Sequence, residues 1–168
     1  MKRNIVRTIS FLATLLLALA AVASAQDHRT CAMAGRAGEY GYTWTGTMFF
    51  PTGAVPVTAV GRNTFDEEGN FEATQTVSRG GTISQLTVKG TYTVNPDCTG
   101  TITASVYDQS GNLTSNVTWA TVSVNNMTEA YATMTSMVTA NGTNVPVAIT
   151  SNAKKLFPGH KWEGHADR

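Results

Sequence analysis

The sequence has no histidine between His28 and His160, and after residue 25 it has no apolar run long enough to cross a membrane as a helix. Histidine is the usual acid–base and metal-binding side chain at neutral pH, so this gap argues against a histidine-dependent enzyme. A membrane helix needs about 20 apolar residues. Gly-x-Ser-x-Gly, a Gly-rich phosphate loop and a paired Cys/His set are also missing from the sequence. We therefore expect no catalytic residue, no metal site and no cofactor, and we favour a non-enzymatic protein.

Positive charge is scarce in the middle of the chain. Residues 38–150 contain eight Asp and Glu residues but only Arg62, Arg79 and Lys89 as basic residues. A nucleic-acid-binding face must be basic to neutralise phosphates, so we expect no nucleic-acid partner. A glycosidase-type pair would need two carboxylates facing each other at about 5–10 Å. Glu39 and Glu129 could form such a pair only if their strands were neighbours.

The N-terminus has the three parts of a secretory signal peptide. Residues 1–7 include Lys2, Arg3 and Arg7, residues 9–22 are mainly apolar, and Ala23-Ser24-Ala25 is a small-residue cleavage site. We predict cleavage after Ala25 and a secreted or periplasmic mature chain without a membrane span. Its oligomeric state is left open by the sequence.

Only two cysteines are present, Cys31 and Cys98. Export would place them in an oxidising compartment, where a disulfide between them is favoured. A redox or metal pair is the alternative, but the sequence contains no Cys-x-x-Cys motif. The disulfide would tie an N-terminal arm to the middle of the domain.

The mature chain is rich in Thr, Val, Gly and Asn, arranged in short segments that alternate apolar and polar residues. This period of two is typical of strands with one buried face. Turn-forming groups such as Asn95-Pro96-Asp97 and Asn141-Gly142 separate the segments at short intervals. We predict an all-β fold, a single antiparallel up-and-down β-barrel of about eight strands, with a β-sandwich as second choice. The expected buried faces include Leu86, Val88, Gly90, Tyr92 and Val94, and later Ala130, Ala132, Met134 and Val138.

The predicted organisation has four parts. The signal peptide spans residues 1–25, an N-terminal arm 26–37, the β-barrel domain 38–152 and a flexible C-terminal tail 153–168. We expect the tail to dock only partly, through Phe157 or Trp162. His160, Glu163 and His165 lie in this tail, where we interpret them as solvated residues rather than metal ligands.

An aromatic stripe on the first strand is the main candidate for a binding site. Inward residues of an eight-stranded barrel either fill the lumen or line a pocket for one small apolar ligand. Filling is the more common outcome, and both alternatives stay open here. The ligand-pocket candidates are Tyr40, Tyr42, Trp44, Met48, Phe50 and Tyr92.

The segment Gly90-Thr-Tyr-Thr-Val-Asn-Pro-Asp-Cys-Thr-Gly-Thr101 resembles a recurring segment of small exported bacterial proteins of uncharacterised function. These proteins are thought to be calycin-like, similar to lipocalins and the allene oxide cyclase barrel. "GEYGYTWTGT" and the hairpin "FDEEGNFEA" occupy the expected places over a looser match from Gly38 to Val138. The resemblance implies a β-barrel with Tyr92 and Cys98 as framework positions, and it implies no catalytic residue.

Three functional hypotheses follow. The first is an exported non-enzymatic barrel that binds a small hydrophobic ligand or an envelope partner. The second is a barrel enzyme of cyclase or isomerase type, which a buried carboxylate beside Tyr42 or Tyr92 would favour. The third is a surface interaction protein that uses exposed strand edges and Thr-rich faces.

Overall fold

The computed structural model of the protein describes residues 31–157, and the expected signal peptide lies outside them. One short helix precedes eight strands. The elements are α1 (Met33–Arg36), β1 (Gly38–Phe50), β2 (Gly53–Phe65), β3 (Asn70–Arg79), β4 (Thr82–Val94), β5 (Thr99–Tyr107), β6 (Leu113–Val124), β7 (Glu129–Thr139) and β8 (Val147–Lys155).

The strands form a closed antiparallel barrel in which every strand pairs with its neighbours in sequence. β1 closes the ring by pairing with β8, for example Trp44 with Ser151. The predicted eight-stranded up-and-down barrel is therefore confirmed, and the alternative β-sandwich is wrong. Closure removes free strand edges from this sheet, as full barrels do.

The alternation of side chains along each strand produces the core. Inward residues such as Val88, Tyr92 and Ile149 are buried, whereas their neighbours in sequence are exposed. Two glycines let adjacent strands approach closely. A Cβ atom at Gly46 would lie 2.0 Å from the Ala148 carbonyl oxygen, and one at Gly90 would lie 2.1 Å from that of Thr103. These positions accept no side chain without a backbone shift.

The arm before β1 closes one end of the barrel, which we call the base. Helix α1 spans four residues and places Arg36 in a buried position. The Tyr92 hydroxyl donates to the carbonyl oxygen of Asp66 and lies 3.3 Å from that of Met33. The predicted disulfide between Cys31 and Cys98 is present. It anchors the arm to the turn between β4 and β5.

Two details differ from the sequence-based expectation. The register between β6 and β7 skips Thr135, because Thr118 pairs with Ser136 while Trp119 pairs with Met134. This bulge shifts the alternation by one residue, so Met137 is buried in place of the expected Val138. The parity of the sequence alone could not reveal it.

The C-terminal boundary of the barrel also differs. β8 continues to Lys155, beyond the expected boundary at residue 152. The Leu156 backbone N–H donates to the Glu39 carbonyl oxygen, and Phe157 is 57% exposed rather than docked. Trp162 lies outside the described residues. Among residues 31–157, no helix combines the length and apolar character needed to cross a membrane.

Candidate functional site

A cavity occupies the lumen of the barrel above the base. About 90 Å³ of it is open to the centres of water molecules, and a single water needs roughly 10–15 Å³ by the same measure. The space therefore admits several waters or one small ring system. Its lining is mainly apolar and includes the indoles of Trp44 and Trp119, with Met48, Phe71, Val77, Leu86, Val88, Ile102, Val106, Val117, Met134 and Met137 around them.

The side-chain amide of Gln75 organises the polar part of this lining. Its Oε1 atom accepts hydrogen bonds from the Trp44 Nε1–H at 2.8 Å and from the Tyr42 hydroxyl at 3.0 Å. Indole Nε1–H can only donate, so the atom facing it must be the amide oxygen. The Gln75 Nε2 donor is consequently turned away from both aromatic residues. No residue within 31–157 accepts a hydrogen bond from it.

The register of three strands explains how this contact forms. Tyr42 pairs with Gly61, and Gly61 pairs with Gln75 on the next strand. The missing side chain at Gly61 leaves room for the tyrosine, because a Cβ atom there would lie 2.7 Å from the Tyr42 hydroxyl. The tyrosine ring therefore crosses β2 and reaches the amide on β3. Desolvation by burial raises the pKa of Tyr42 far above its usual value, so its hydroxyl stays a neutral donor.

Arg36 lines the cavity from below. Its guanidinium carbon lies 4.4 Å from the ring centroids of both Tyr40 and Phe65, which is within cation–π distance. Its Nη1 atom is buried and has no hydrogen-bond partner in the described part of the chain. Burial lowers the pKa of Arg36 below its usual value, but a guanidinium remains charged at neutral pH.

Asn63 is a second buried polar residue of the lining, with an exposed fraction of 7%. It pairs with Tyr40 in the β1–β2 register and is two residues from Phe65, so it lies near the rings that hold Arg36. Its Oδ1 atom has no partner among the described residues. The base of the cavity thus presents an unpartnered guanidinium Nη1 atom and an unpartnered amide oxygen among the described residues.

The six sequence-predicted pocket residues divide into two groups. Tyr42, Trp44 and Met48 line the cavity. Tyr40 and Tyr92 belong to the base, where the Tyr40 hydroxyl lies 2.7 Å from the Met127 carbonyl oxygen and 3.0 Å from that of Arg36. Phe50 packs against the core outside the cavity lining.

Most lining residues are not among the six sequence-predicted pocket residues, and the polar or aromatic ones among them include Arg36, Asn63, Gln75 and Trp119. The period of β3 could have indicated Gln75, because it stands between the inward Ala73 and Val77. The inward position of Asn63 follows in the same way from Phe65. Nothing in a four-residue helix indicates that Arg36 turns into a barrel.

The charge of the lining is one-sided. Arg36 at the base and Arg79 near the β3–β4 turn both border the cavity. None of the described lining residues is Asp, Glu or His. Within residues 31–157 no cluster of His, Cys, Asp and Glu could hold a metal ion. The tail residues His160, Glu163 and His165 lie outside that range.

The chain has the architecture of a closed eight-stranded antiparallel barrel with a partly hollow lumen. Among solved structures it is similar to the redesigned β-barrel mFAP0 bound to DFHBI, at 15% identity and a TM-score of 0.45, covering 72% of this chain and 99% of that one. A second similar structure is EF1p2_mFAP2b bound to DFHBI, at 14% identity and a TM-score of 0.48, covering 76% of this chain and 98% of the other. No protein-family model and no curated protein matched the sequence.

Proposed function

We propose that this protein is an exported, non-enzymatic β-barrel that binds a small aromatic or apolar molecule in its lumen. The observation that carries the proposal is the mainly apolar cavity lined by Trp44 and Trp119, with the hydrogen-bonded amide of Gln75 in its lining. An apolar lining with a few fixed polar groups is typical of small-ligand sites. The indoles would contact the ligand's ring faces, and the amide would orient one acceptor group.

The disulfide supports the export part of the proposal. Cys31 and Cys98 are bonded, and disulfides persist mainly in oxidising compartments. The signal-peptide pattern at residues 1–25 and the calycin-like resemblance of residues 90–101 agree with a secreted or periplasmic binding protein. The signal peptide and the calycin-like relationship remain parts of the proposal.

The two alternative functions have less support. A cyclase or isomerase would need a carboxylate beside Tyr42 or Tyr92, and no described carboxylate lines the cavity. An interaction protein based on strand edges would need an unpaired edge. The closed ring of β1 to β8 offers none within the described residues.

The test is a fluorescence titration with N-phenyl-1-naphthylamine, a neutral apolar probe. We expect saturable binding to the wild type. Ala132→Phe should weaken it about tenfold or more, because Ala132 lines the cavity and the new ring occupies the ligand's volume.

Ala120→Phe is the matched control. Ala120 is exposed on the neighbouring strand β6, where it pairs with Thr133, so the same added ring lies outside the barrel. Binding by this variant should stay within about twofold of the wild type. Absence of a saturable signal in the wild type, or equal loss in both variants, would contradict the proposal.

A further inference from the structure

The cavity has a charged base as well as an apolar wall, and this combination narrows the class of ligand. We propose that Arg36 is the anion-binding residue of the lumen and that the ligand is an aromatic carboxylate, held with its acid group at the base and its ring between the indoles. This inference rests on the function proposed above and specifies the ligand of the same site.

The state of the guanidinium is the first argument. Only 5% of the surface of Arg36 is exposed, yet the residue forms no ion pair with any described residue. The rings of Tyr40 and Phe65, which meet edge to face, each lie with their centroid 4.4 Å from the guanidinium carbon. These ring contacts leave the Nη1 donor buried and without a hydrogen-bond partner among the described residues. Burying an ion without a partner is unfavourable, and a ligand carboxylate would supply the partner.

The neighbouring amide is the second argument. Asn63 is buried near the same rings, and its Oδ1 atom is unpartnered. Rotation of the amide by a half-turn exchanges oxygen and NH₂, so Asn63 can present a donor to a carboxylate beside the guanidinium. A planar carboxylate has two oxygen atoms and matches the planar donor set of arginine.

The charge of the surrounding lining is the third argument. Its two ionised residues, Arg36 and Arg79, are both cations, and none of the lining residues described carries a negative charge. The nearby ion pair of Glu39 with Arg62 belongs to residues that are not part of the lining. The lumen is thus positive although residues 38–150 have an excess of acids, which favours a monoanion over a neutral or cationic ligand.

The test compares naphthalene-2-carboxylate with naphthalene-2-carboxamide at neutral pH, by calorimetry or by displacement of N-phenyl-1-naphthylamine. The two molecules have the same ring and nearly the same shape, and they differ in charge. We expect the wild type to prefer the carboxylate by about tenfold or more, as for a charge-assisted hydrogen bond. This measurement requires no variant, so it remains valid even if Arg36 is needed for folding.

Three variants then test which residue causes the preference for the carboxylate. Arg36→Met should reduce the preference for the carboxylate to about onefold, which means equal binding of the two compounds. The affinity for the carboxamide should change less than about threefold. Asn63→Asp, which keeps the side-chain shape and adds a negative charge to the cavity lining, should also abolish the preference. Arg79→Met is the comparison variant, because it removes the other cation of the lining, which is solvent-exposed and therefore screened, so the preference should fall less than in Arg36→Met. The Arg79→Met variant should keep most of the preference.

The outcomes separate this inference from the function on which it rests. Equal binding of the carboxylate and the carboxamide by the wild type would overturn the role of Arg36 and leave a lumen that binds neutral ligands. A preference that survives in Arg36→Met but disappears in Arg79→Met would also overturn it. If neither naphthalene compound nor the neutral probe binds, the proposed function itself fails.

Discussion

At the base of the barrel, aromatic rings and a guanidinium fill the space between the strands, whereas the lumen above it is partly empty. Phe65 contacts the rings of Tyr40, Phe71 and Tyr92 at centroid distances of 5.6, 5.0 and 4.8 Å. All of these rings come from β1 to β4. The inward residues of β6 to β8 are often small, including Ser115, Thr121, Ala130, Ala132, Ser151 and Ala153.

This difference shows that alternation decides which residues point inward, while side-chain volume decides whether the interior is filled. The large residues on one side of the barrel cover the base, and the small residues on the other side leave a continuous space above it. That space reaches Arg36 because Ala130 and Ala153, near the base ends of β7 and β8, are too small to close it. The uneven distribution of large and small side chains around the barrel therefore explains both the packed base and the cavity above it.

The largest effect is expected from truncation in the base. Phe65→Ala should lower the free energy of unfolding by about 4 kcal/mol, because it removes a ring that is 2% exposed and contacts three others. Met134→Ala, in the lumen, should cost about 2 kcal/mol, since its side chain already borders empty space. Denaturant titration measures both. Equal costs would contradict the contrast between a packed base and a hollow lumen.

A somewhat smaller effect is expected from the covalent link to the base. Replacing both Cys31 and Cys98 by Ser should lower the free energy of unfolding by about 3 kcal/mol, because the link closes a long loop in the unfolded chain. Thermal unfolding of the wild type with and without a reductant gives the matching measurement. If the arm contributed nothing to the base, the double variant would unfold at the wild-type temperature.

The smallest effect is expected for the pH dependence of stability, and it should be similar at the two ends of the barrel. Asp66 at the base end accepts hydrogen bonds from the side chain and backbone N–H of Asn70, and these hold its pKa below 3.8. Asp108 at the opposite end has the same relation to the backbone N–H and side chain of Asn112, with the same direction of shift. A lowered folded-state pKa means that the stabilisation is present above the unfolded value and lost as pH falls through the folded one.

We therefore expect the melting temperature to drop as pH falls from about 6 to about 3, and Asp66→Asn and Asp108→Asn to flatten that dependence by similar amounts. Glu67→Gln serves as the control at the base end, because it removes a carboxylate from the same turn. An unchanged pH dependence in either Asn variant would show that its turn contributes no proton-linked stability.

The sequence predicts the wall of the barrel well and its interior less well. Period-two segments such as Leu86–Val94 identify strands because side-chain parity is a local property. The β7 bulge at Thr135 is not local, since it depends on the partner strand, and it moves Met137 rather than Val138 inward. The cavity depends on the summed volume of residues from all eight strands, so the choice between a filled and a hollow lumen needs coordinates.

The residues of the candidate site show the same limit. The aromatic stripe predicts Trp44 and Tyr42 as pocket residues. It does not predict their shared hydrogen-bond acceptor Gln75, because a polar residue on a buried face has no distinct signal by itself. Arg36 lies outside every strand. Its position depends on the turn of the arm and on the rings of Tyr40 and Phe65, which are separated from each other along the chain.

Ring closure between β1 and β8 also bears on the order of events during folding. Residues Tyr40–Met48 meet Val147–Lys155, so the first strand cannot find its second partner until nearly the whole domain has been synthesised or translocated. Contacts between such distant segments form slowly. The hairpins can form early from adjacent strands, but the unfinished sheet keeps two open edges until the last strand arrives. Under the export proposed above, the final closure would take place in the compartment where Cys31 and Cys98 can be oxidised.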